Sequence, residues 1–210
     1  MADQWLADGE ITDWSVLWRR MVEALPPFPT VMIPRDPPSA MPTVDVVRTY
    51  LEMRTPDALR PADAPPGVEA RVERLERPSV ADYRALYGDV GAAYHWRDRL
   101  AWSDEQLAAY LADPAVSVWV LVVNGVRAGY FELKRDADDV EIVYFGLASP
   151  YIGRGLGKYL LTRATREAWD GPRVSRVWLH TCTLDDRAAL PNYLSRGFVE
   201  TRRESYVTEI

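Results

Sequence analysis

Apolar and polar positions recur along this chain with two periods, and the changes of period divide it into elements. In ITDWSVLWRRMVEAL, Ile11, Trp14, Leu17, Trp18, Met21 and Leu25 fall at helical spacing behind Thr12 or Asp13 as N-cap, which predicts an N-terminal helix. PPFPTVMIPRDPPSAMP ends it, because closely spaced prolines lack the N–H groups that helix and central strand require. TVDVVRTYLEM reads as a strand, and TPDALRPADAPPG as a second proline-broken linker. From Gly67 the texture is regular. VEARVERLE alternates as a strand, and SVADYRALYGDVGAAY and SDEQLAAYLADP read as helices, with Ser103 and Gln106 spaced as a capping box. VSVWVLVVNGVRAGYFELKR is a pair of apolar strands around the turn dipeptide Asn124-Gly125. DVEIVYFGLA is a further strand, GKYLLTRATREAW a helix ending near Gly171-Pro172, and VSRVWLHT a strand. DDRAALPNYLSRG is mostly helix, and FVETRRESYVT supplies one or two closing strands. The order predicts a mixed α/β sheet over residues 67–210, preceded by an extension over 1–66. The Trp-bearing helix of that extension is read as a core-capping element, with a homodimer contact arm as the alternative.

Composition narrows the function classes. A length of 210 residues, 48% of them hydrophobic, allows one full domain with an appendage. A formal charge of −6 argues against a nucleic-acid surface, which needs clustered Lys and Arg, and is compatible with a cationic small-molecule partner. The single cysteine, Cys182, excludes an intramolecular disulfide and a CxxC knuckle, and His95 and His180 alone argue against a multi-histidine metal site. MADQWLADGE is acidic and has no apolar targeting core, and no apolar run reaches membrane length. The expectation is a soluble, cytoplasmic protein with no membrane, nucleic-acid or metal partner.

SPYIGRGLGKYLL sets three glycines within five positions and then becomes helix-forming. A Walker A loop would need glycine where Ile152 stands and a hydroxyl residue where Tyr159 stands. A dinucleotide fingerprint needs GxGxxG after the first strand of a βαβ unit, whereas Gly153, Gly155 and Gly157 have another spacing and follow a hairpin. What remains is a strand–loop–helix turn whose N–H groups, helped by Arg154 and Lys158, face a pyrophosphate.

EIVYFGLASPYIGRGLGKYLL followed by WLHTCTLDDRAALPNYLSRGF resembles the Gcn5-related N-acetyltransferase (GNAT) superfamily. The pattern Arg/Gln-x-x-Gly-x-Gly/Ala corresponds here to Ile152 through Gly157, and Tyr-x-x-x-Gly-Phe to Tyr193 through Phe198; the likeness runs from Gly67 to the C-terminus. It implies a mixed, mostly antiparallel central sheet flanked by helices, with acetyl-CoA as co-substrate. The diphosphate would lie on Ile152, Gly153, Arg154, Gly155, Leu156, Gly157 and Lys158, and the pantetheine arm along the backbone of Phe145, Gly146, Leu147 and Ala148. Ile152 departs from the family's Arg or Gln; it leaves backbone contacts intact and removes a side-chain one.

The same resemblance implies transfer of an acetyl group to an amine, small-molecule or peptide. Tyr193 aligns with the family's general acid, and a phenol is protonated at neutral pH; packing beside Phe198 is the alternative. Glu141 aligns with the general base of the histone acetyltransferase branch, and period 2 places Glu141, Val143, Phe145 and Leu147 on one face. The alternative for Glu141 is a solvated strand end, and Glu132 is a substitute base. His180 is a further base or orienting group, whereas Cys182 as nucleophile would need a depressed pKa and a partner base. Asp186 stands where many relatives carry Asn, and Pro191 is expected to kink or delay the helix holding Tyr193. Tyr87 to Trp102 is the expected acceptor wall, with Tyr94, His95, Trp96 and Trp102 around a cation and Asp98 as counter-charge. A non-catalytic acyl-CoA-binding or assembly module of the same fold is the competing reading.

Overall fold

The structure is a computed structural model and describes residues 42–94 and 96–209. The expected N-terminal helix, its dimer-arm alternative, the first proline-rich linker and His95 lie outside the described residues. Seven strands form one sheet: β1 (Thr43–Met53), β2 (Ala70–Leu75), β3 (Val116–Val123), β4 (Val126–Asp136), β5 (Asp139–Leu147), β6 (Arg176–Cys182) and β7 (Val199–Glu209). The described helices are α1 (Val80–Gly91), α2 (Asp104–Leu111), α3 (Leu156–Trp169) and α4 (Ala189–Ser195). Strand order is β2-β3-β4-β5-β6-β1-β7; only β5 and β6 run parallel, and every other pairing is antiparallel. The fold is the mixed, mostly antiparallel α/β sheet with flanking helices.

Local sequence accounts for most of these elements. Asn124 and Gly125 adopt φ of 49° and 81°, the positive values a tight β3–β4 hairpin demands. Ser103 and Gln106 form the reciprocal capping box that starts α2, with Ser103 Oγ accepting from the Gln106 N–H and Gln106 Oε1 from the Ser103 N–H. α3 buries Leu156, Leu160, Leu161, Ala164 and Ala168, one helical stripe, against one face of the sheet together with α4. The opposite face, with Val118, Val120 and Tyr130, packs on Tyr83, Leu86, Tyr87 and Val90 of α1 and Leu107 of α2. β3 and β4 read as nearly continuous apolar runs because they are covered on both sides.

Three details differ from the sequence expectation. β1, which sequence reading places ahead of the domain at residue 67, is an interior strand paired with β6 on one side and β7 on the other. Thr49, Leu51 and Met53 are buried there, so the sheet that carries the site includes residues 43–53. FVETRRESYVT forms a single strand, β7. α4 begins at Ala189, so Pro191 falls in its first turn, where the missing N–H would have had no helical partner; the helix starts late and is not kinked by it.

One polar group ties both α1 and α2 to the sheet. Glu132 on β4 is fully buried, and its carboxyl oxygens accept from Tyr83 Oη of α1 at 2.5 Å and Tyr110 Oη of α2 at 2.5 Å. Arg99, in a 3₁₀ turn over Asp98–Ala101, reaches the same carboxyl group at 3.3 Å and lies across the rings of Trp102 and Tyr110. Burial first, and the neighbouring Glu132 second, raise the pKa of both phenols, so they remain donors. Replacing Glu132 by Leu leaves a buried guanidinium and two hydroxyls without an acceptor; equilibrium urea unfolding is expected to show a loss of about 3 kcal/mol.

Candidate active site

The parallel pair β5–β6 is in register only where Asp139, Val140 and Glu141 face Arg176, Val177 and Trp178. β5 then continues to Leu147 and β6 to Cys182 without further pairing, and a cleft of about 570 Å³ opens between them. Residues Ile142 to Leu147 form one wall, and Leu179, His180 and Cys182 lie opposite.

A bulge fixes what β5 shows to each side. Glu132 pairs with Tyr144 and Leu133 with Ile142, so Val143 is an extra residue. Val140, Ile142, Phe145 and Leu147 therefore all pack in the cluster beneath α3, and Glu141 points to the other face. The expected common face for Glu141, Val143, Phe145 and Leu147 does not exist, because the bulge breaks the period of two between Ile142 and Tyr144.

The glycine loop closes one end of the cleft. After β5 a 3₁₀ turn over Ser149–Tyr151 leads to Gly153 and Gly155, both at φ 76°, a left-handed conformation that costs other residues energy. Gly155 is the N-cap of α3 and provides no side-chain cap, so the first amides of a 14-residue helix meet no capping oxygen from that residue. Ile152, Gly153, Gly155, Gly157 and Lys158 line the cleft. Arg154, Leu156 and Ala148 are not in that lining: the Arg154 side chain lies over the Tyr151 ring, the Leu156 side chain is buried in the core, and the Ala148 N–H donates to Ala128 O on β4. The contacts that the resemblance implies for all three are backbone ones. Asn192 Nδ2 donates to Gly157 O at 3.3 Å and couples α4 to the loop.

Tyr193 on α4 lines the same cleft, 6% exposed, edge-on to Phe145 at 5.9 Å and to Phe198 at 6.4 Å. It thus packs beside Phe198 and also borders the cleft. Burial, with the charge of Asp185 as a smaller cause, raises its pKa and keeps the phenol protonated. His180 borders the cleft as well; burial and then Arg48 lower its pKa, so the imidazole is neutral at neutral pH. Its Nδ1 lies 3.8 Å from Glu141 Oε1, and burial raises the Glu141 pKa against the opposing effect of Lys134. Glu141 itself is not part of the cleft lining.

The remaining candidates separate clearly. Glu132 has no route to the cleft, because its carboxyl group is enclosed by Tyr83, Tyr110 and Arg99; it is excluded as a substitute base. Cys182 lines the cleft, but burial pushes its thiol pKa up, which disfavours a nucleophilic thiolate. Of the acceptor wall, Tyr94, Trp96 and Asp98 reach the cleft, whereas Trp102 packs beside Arg99 and Tyr110. Asp186 accepts from Tyr94 Oη at 3.4 Å and from the Ala188 N–H at 2.8 Å. Arg48 and Tyr206 also line the cleft and were not anticipated, since only the pairing of β1 with β6 and β7 brings them there.

The family model of the acetyltransferase (GNAT) family matches residues 83–198, which span α1 through Phe198 and so include both strands of the cleft and the glycine loop. This chain belongs to the GNAT family. Among solved structures, a GCN5-related N-acetyltransferase from Sphaerobacter thermophilus is similar with a TM-score of 0.59 and 17% identity, over 80% of this chain and 53% of that one. One from Kribbella flavida aligns with a TM-score of 0.54 and 20% identity, over 79% of this chain and 58% of that one. A functionally unknown conserved protein from Staphylococcus epidermidis aligns with a TM-score of 0.54 and 14% identity, over 96% of this chain and 69% of that one. This GNAT chain therefore spans little more than half the length of the first two, and at these identities the likeness concerns the fold. No curated protein matches the chain in sequence.

The loop of this GNAT protein offers a direct test of anion binding. A Cβ at Gly153 would meet nothing within 4 Å, and Asp tolerates a positive φ better than most residues. If the loop holds the diphosphate of acetyl-CoA, Gly153→Asp, sterically free though strained by its φ of 76°, should weaken acetyl-CoA binding in calorimetric titration about tenfold or more, and the equally strained but uncharged Gly153→Asn much less.

Proposed function

We propose that this GNAT protein is an acetyl-CoA-dependent N-acetyltransferase that moves an acetyl group to an amine by direct attack. The observation that carries the reading is the parting of β5 from β6 after three paired residues, with uncapped helix amides at one end and Tyr193 and His180 on the walls. Residues 142–147 present backbone groups with no strand partner on the β6 side, which suits the amide-bearing arm of coenzyme A. Gly153, Gly155, Gly157 and Lys158 would hold its diphosphate, and the open space at Gly153 leaves room for it. Bound there, acetyl-CoA supplies an activated acetyl group on a thiol leaving group.

The protein's own residues manage two protons. His180, neutral and facing the cleft, takes a proton from the acceptor ammonium and so frees the lone pair that attacks. Glu141, at 3.8 Å, stabilises the imidazolium that results, so the base is a His180–Glu141 pair rather than Glu141 alone. Tyr193, held protonated by burial, donates to the departing sulfur as the new C–N bond replaces C–S. Packing of Tyr193 against Phe145 aligns it with the strand that would carry the pantetheine arm.

Tyr193→Phe keeps the ring packing and removes the proton. Acetyl-CoA affinity should be unchanged while turnover, measured by thiol release, falls at least about tenfold. Retained turnover would remove Tyr193 as the acid, and acetyl-CoA binding with no transfer to any amine would support the non-catalytic module instead.

The base has a pH signature. It must be unprotonated to act, and a lowered His180 pKa keeps it so into more acidic solution. The acid limb of kcat/KM is therefore expected below about 6.5, the ordinary imidazole value. His180→Gln should abolish that limb and most activity. Glu141→Gln should lower turnover and keep the limb; loss of the limb in this variant would assign the proton to Glu141 itself.

A further inference from the structure

β1 brings an arginine into the cleft that the acetyl-transfer reading does not use. Arg48 stands opposite Cys182 on β6 and Glu204 on β7, and Tyr50, two positions on, stands opposite His180. Thr49, Leu51 and Met53 turn into the core, so Arg48 and Tyr50 share the other face with His180 and Cys182. The Arg48 guanidinium lies over the Tyr206 ring at 5.0 Å, and both side chains border the cleft.

Its partners distinguish Arg48 from its neighbours. On the same face, Arg202 pairs with Glu204, and Arg176 with Glu52 and Asp139. Among the described residues no carboxylate lies within salt-bridge distance of Arg48, whose neighbours are instead the phenols of Tyr50 and Tyr206; its buried Nε has no partner, a feature it shares with Arg176. A partly buried cation that borders a cleft with no carboxylate partner is costly unless an anion completes it. The fork of a guanidinium matches a carboxylate through two parallel hydrogen bonds. The same cleft is also lined by Lys158 at the glycine loop, by Arg97, and by Asp98, Asp185, Asp186 and Glu209; away from the loop these four carboxylates favour an anion that carries its own ammonium group.

We propose that Arg48 is the carboxylate-recognition residue of the acceptor site, and that the acceptor is a small amine bearing a carboxylate, of the amino-acid class. This rests on the N-acetyltransferase reading and deepens it. Arg48 holds the carboxylate and Asp98 attracts the ammonium, so the amine is directed toward His180. A wholly cationic polyamine would meet Arg48 as a like charge. The opposed charges in the cleft thus select a zwitterion over the cationic acceptor that net charge alone suggests.

The test compares the common L-amino acids with their own carboxamides as acceptors, by thiol release, for the wild-type chain, Arg48→Met and Arg48→Lys. In the wild type an acid should exceed its amide in kcat/KM by about tenfold to a hundredfold, the range of a charge-assisted hydrogen bond. Arg48→Met should erase that gap by raising KM for the acid alone, with acetyl-CoA affinity retained. Because Arg48 also lowers the His180 pKa, its loss moves the acid limb to higher pH for acids and amides alike, and the two are compared above it. Arg48→Lys should restore part of it. Equal use of acids and amides by the wild type, or acetylation of simple amines alone, overturns the carboxylate site and leaves the N-acetyltransferase reading standing. Acetyl-CoA binding with no acceptor acetylated in either series, nor any simple amine, overturns both. The wild-type comparison decides the matter even where a variant fails to fold.

Discussion

Two parallel strands that stop pairing after three residues are the constraint around which the molecule is arranged. Beyond Glu141 and Trp178, β5 and β6 each expose one edge of backbone to a cleft, and buried backbone N–H and C=O groups without partners are expensive. A fold keeps such a defect only where something else makes those hydrogen bonds or where solvent does. The rest of the sheet supports the parting from both sides: β4 pairs with β5 from Asp139 to Leu147 apart from the bulged Val143, and β1 pairs with β6 from Val177 to Cys182. α3 and α4 then close one face of the gap, with Tyr193 and Phe145 in edge-on contact across it. The opening is therefore built into the sheet, and the glycine loop lies at its end.

Charge is distributed on the same plan. Glu132, the one fully buried carboxyl group among the described residues, is satisfied by Tyr83, Tyr110 and Arg99, and so serves to dock α1 and α2. Pairing is also incomplete at the cleft, although buried groups without partners occur elsewhere too, among them Arg99 Nε and Tyr130 Oη. Glu141 and His180 approach to 3.8 Å without a hydrogen bond, and Arg48 has an unsatisfied Nε. The Glu132 carboxyl group has its charge and hydrogen bonds met within the fold, whereas Arg48 borders the cleft with no carboxylate partner, which a ligand would supply.

Features encoded locally were legible in the chain. Asn124-Gly125, the Ser103–Gln106 box, the stripe of α3 and the closely spaced glycines each carry their reason within a few residues, and each formed the expected element. Tyr193, Phe145 and Gly153, named from the family pattern, line the cleft, whereas the side chains of Arg154 and Leu156 turn elsewhere, because side-chain direction in a turn is not periodic. The extra residue at Val143 is invisible to a period-2 reading, and it exchanged the face of Phe145 and Leu147. Glu132 looked like a spare base because nothing in its own strand announces two tyrosines and an arginine from three other segments.

The greatest loss was β1, and its cause is physical. TVDVVRTYLEM was recognisable as a strand, but its place depends on pairing with residues 177–182 and 199–209, more than a hundred positions away. A proline-rich linker on its C-terminal side made it look like an appendage. Inserted between β6 and β7, it buries Leu51 and Met53 in the main core and aligns Arg48 and Tyr50 beside His180. A chain cut at residue 67 would lose one side of β6 and, with it, the support that keeps β6 apart from β5. The segment ahead of the recognisable pattern thus contributes to the cleft wall, through Arg48 and through the support it gives β6.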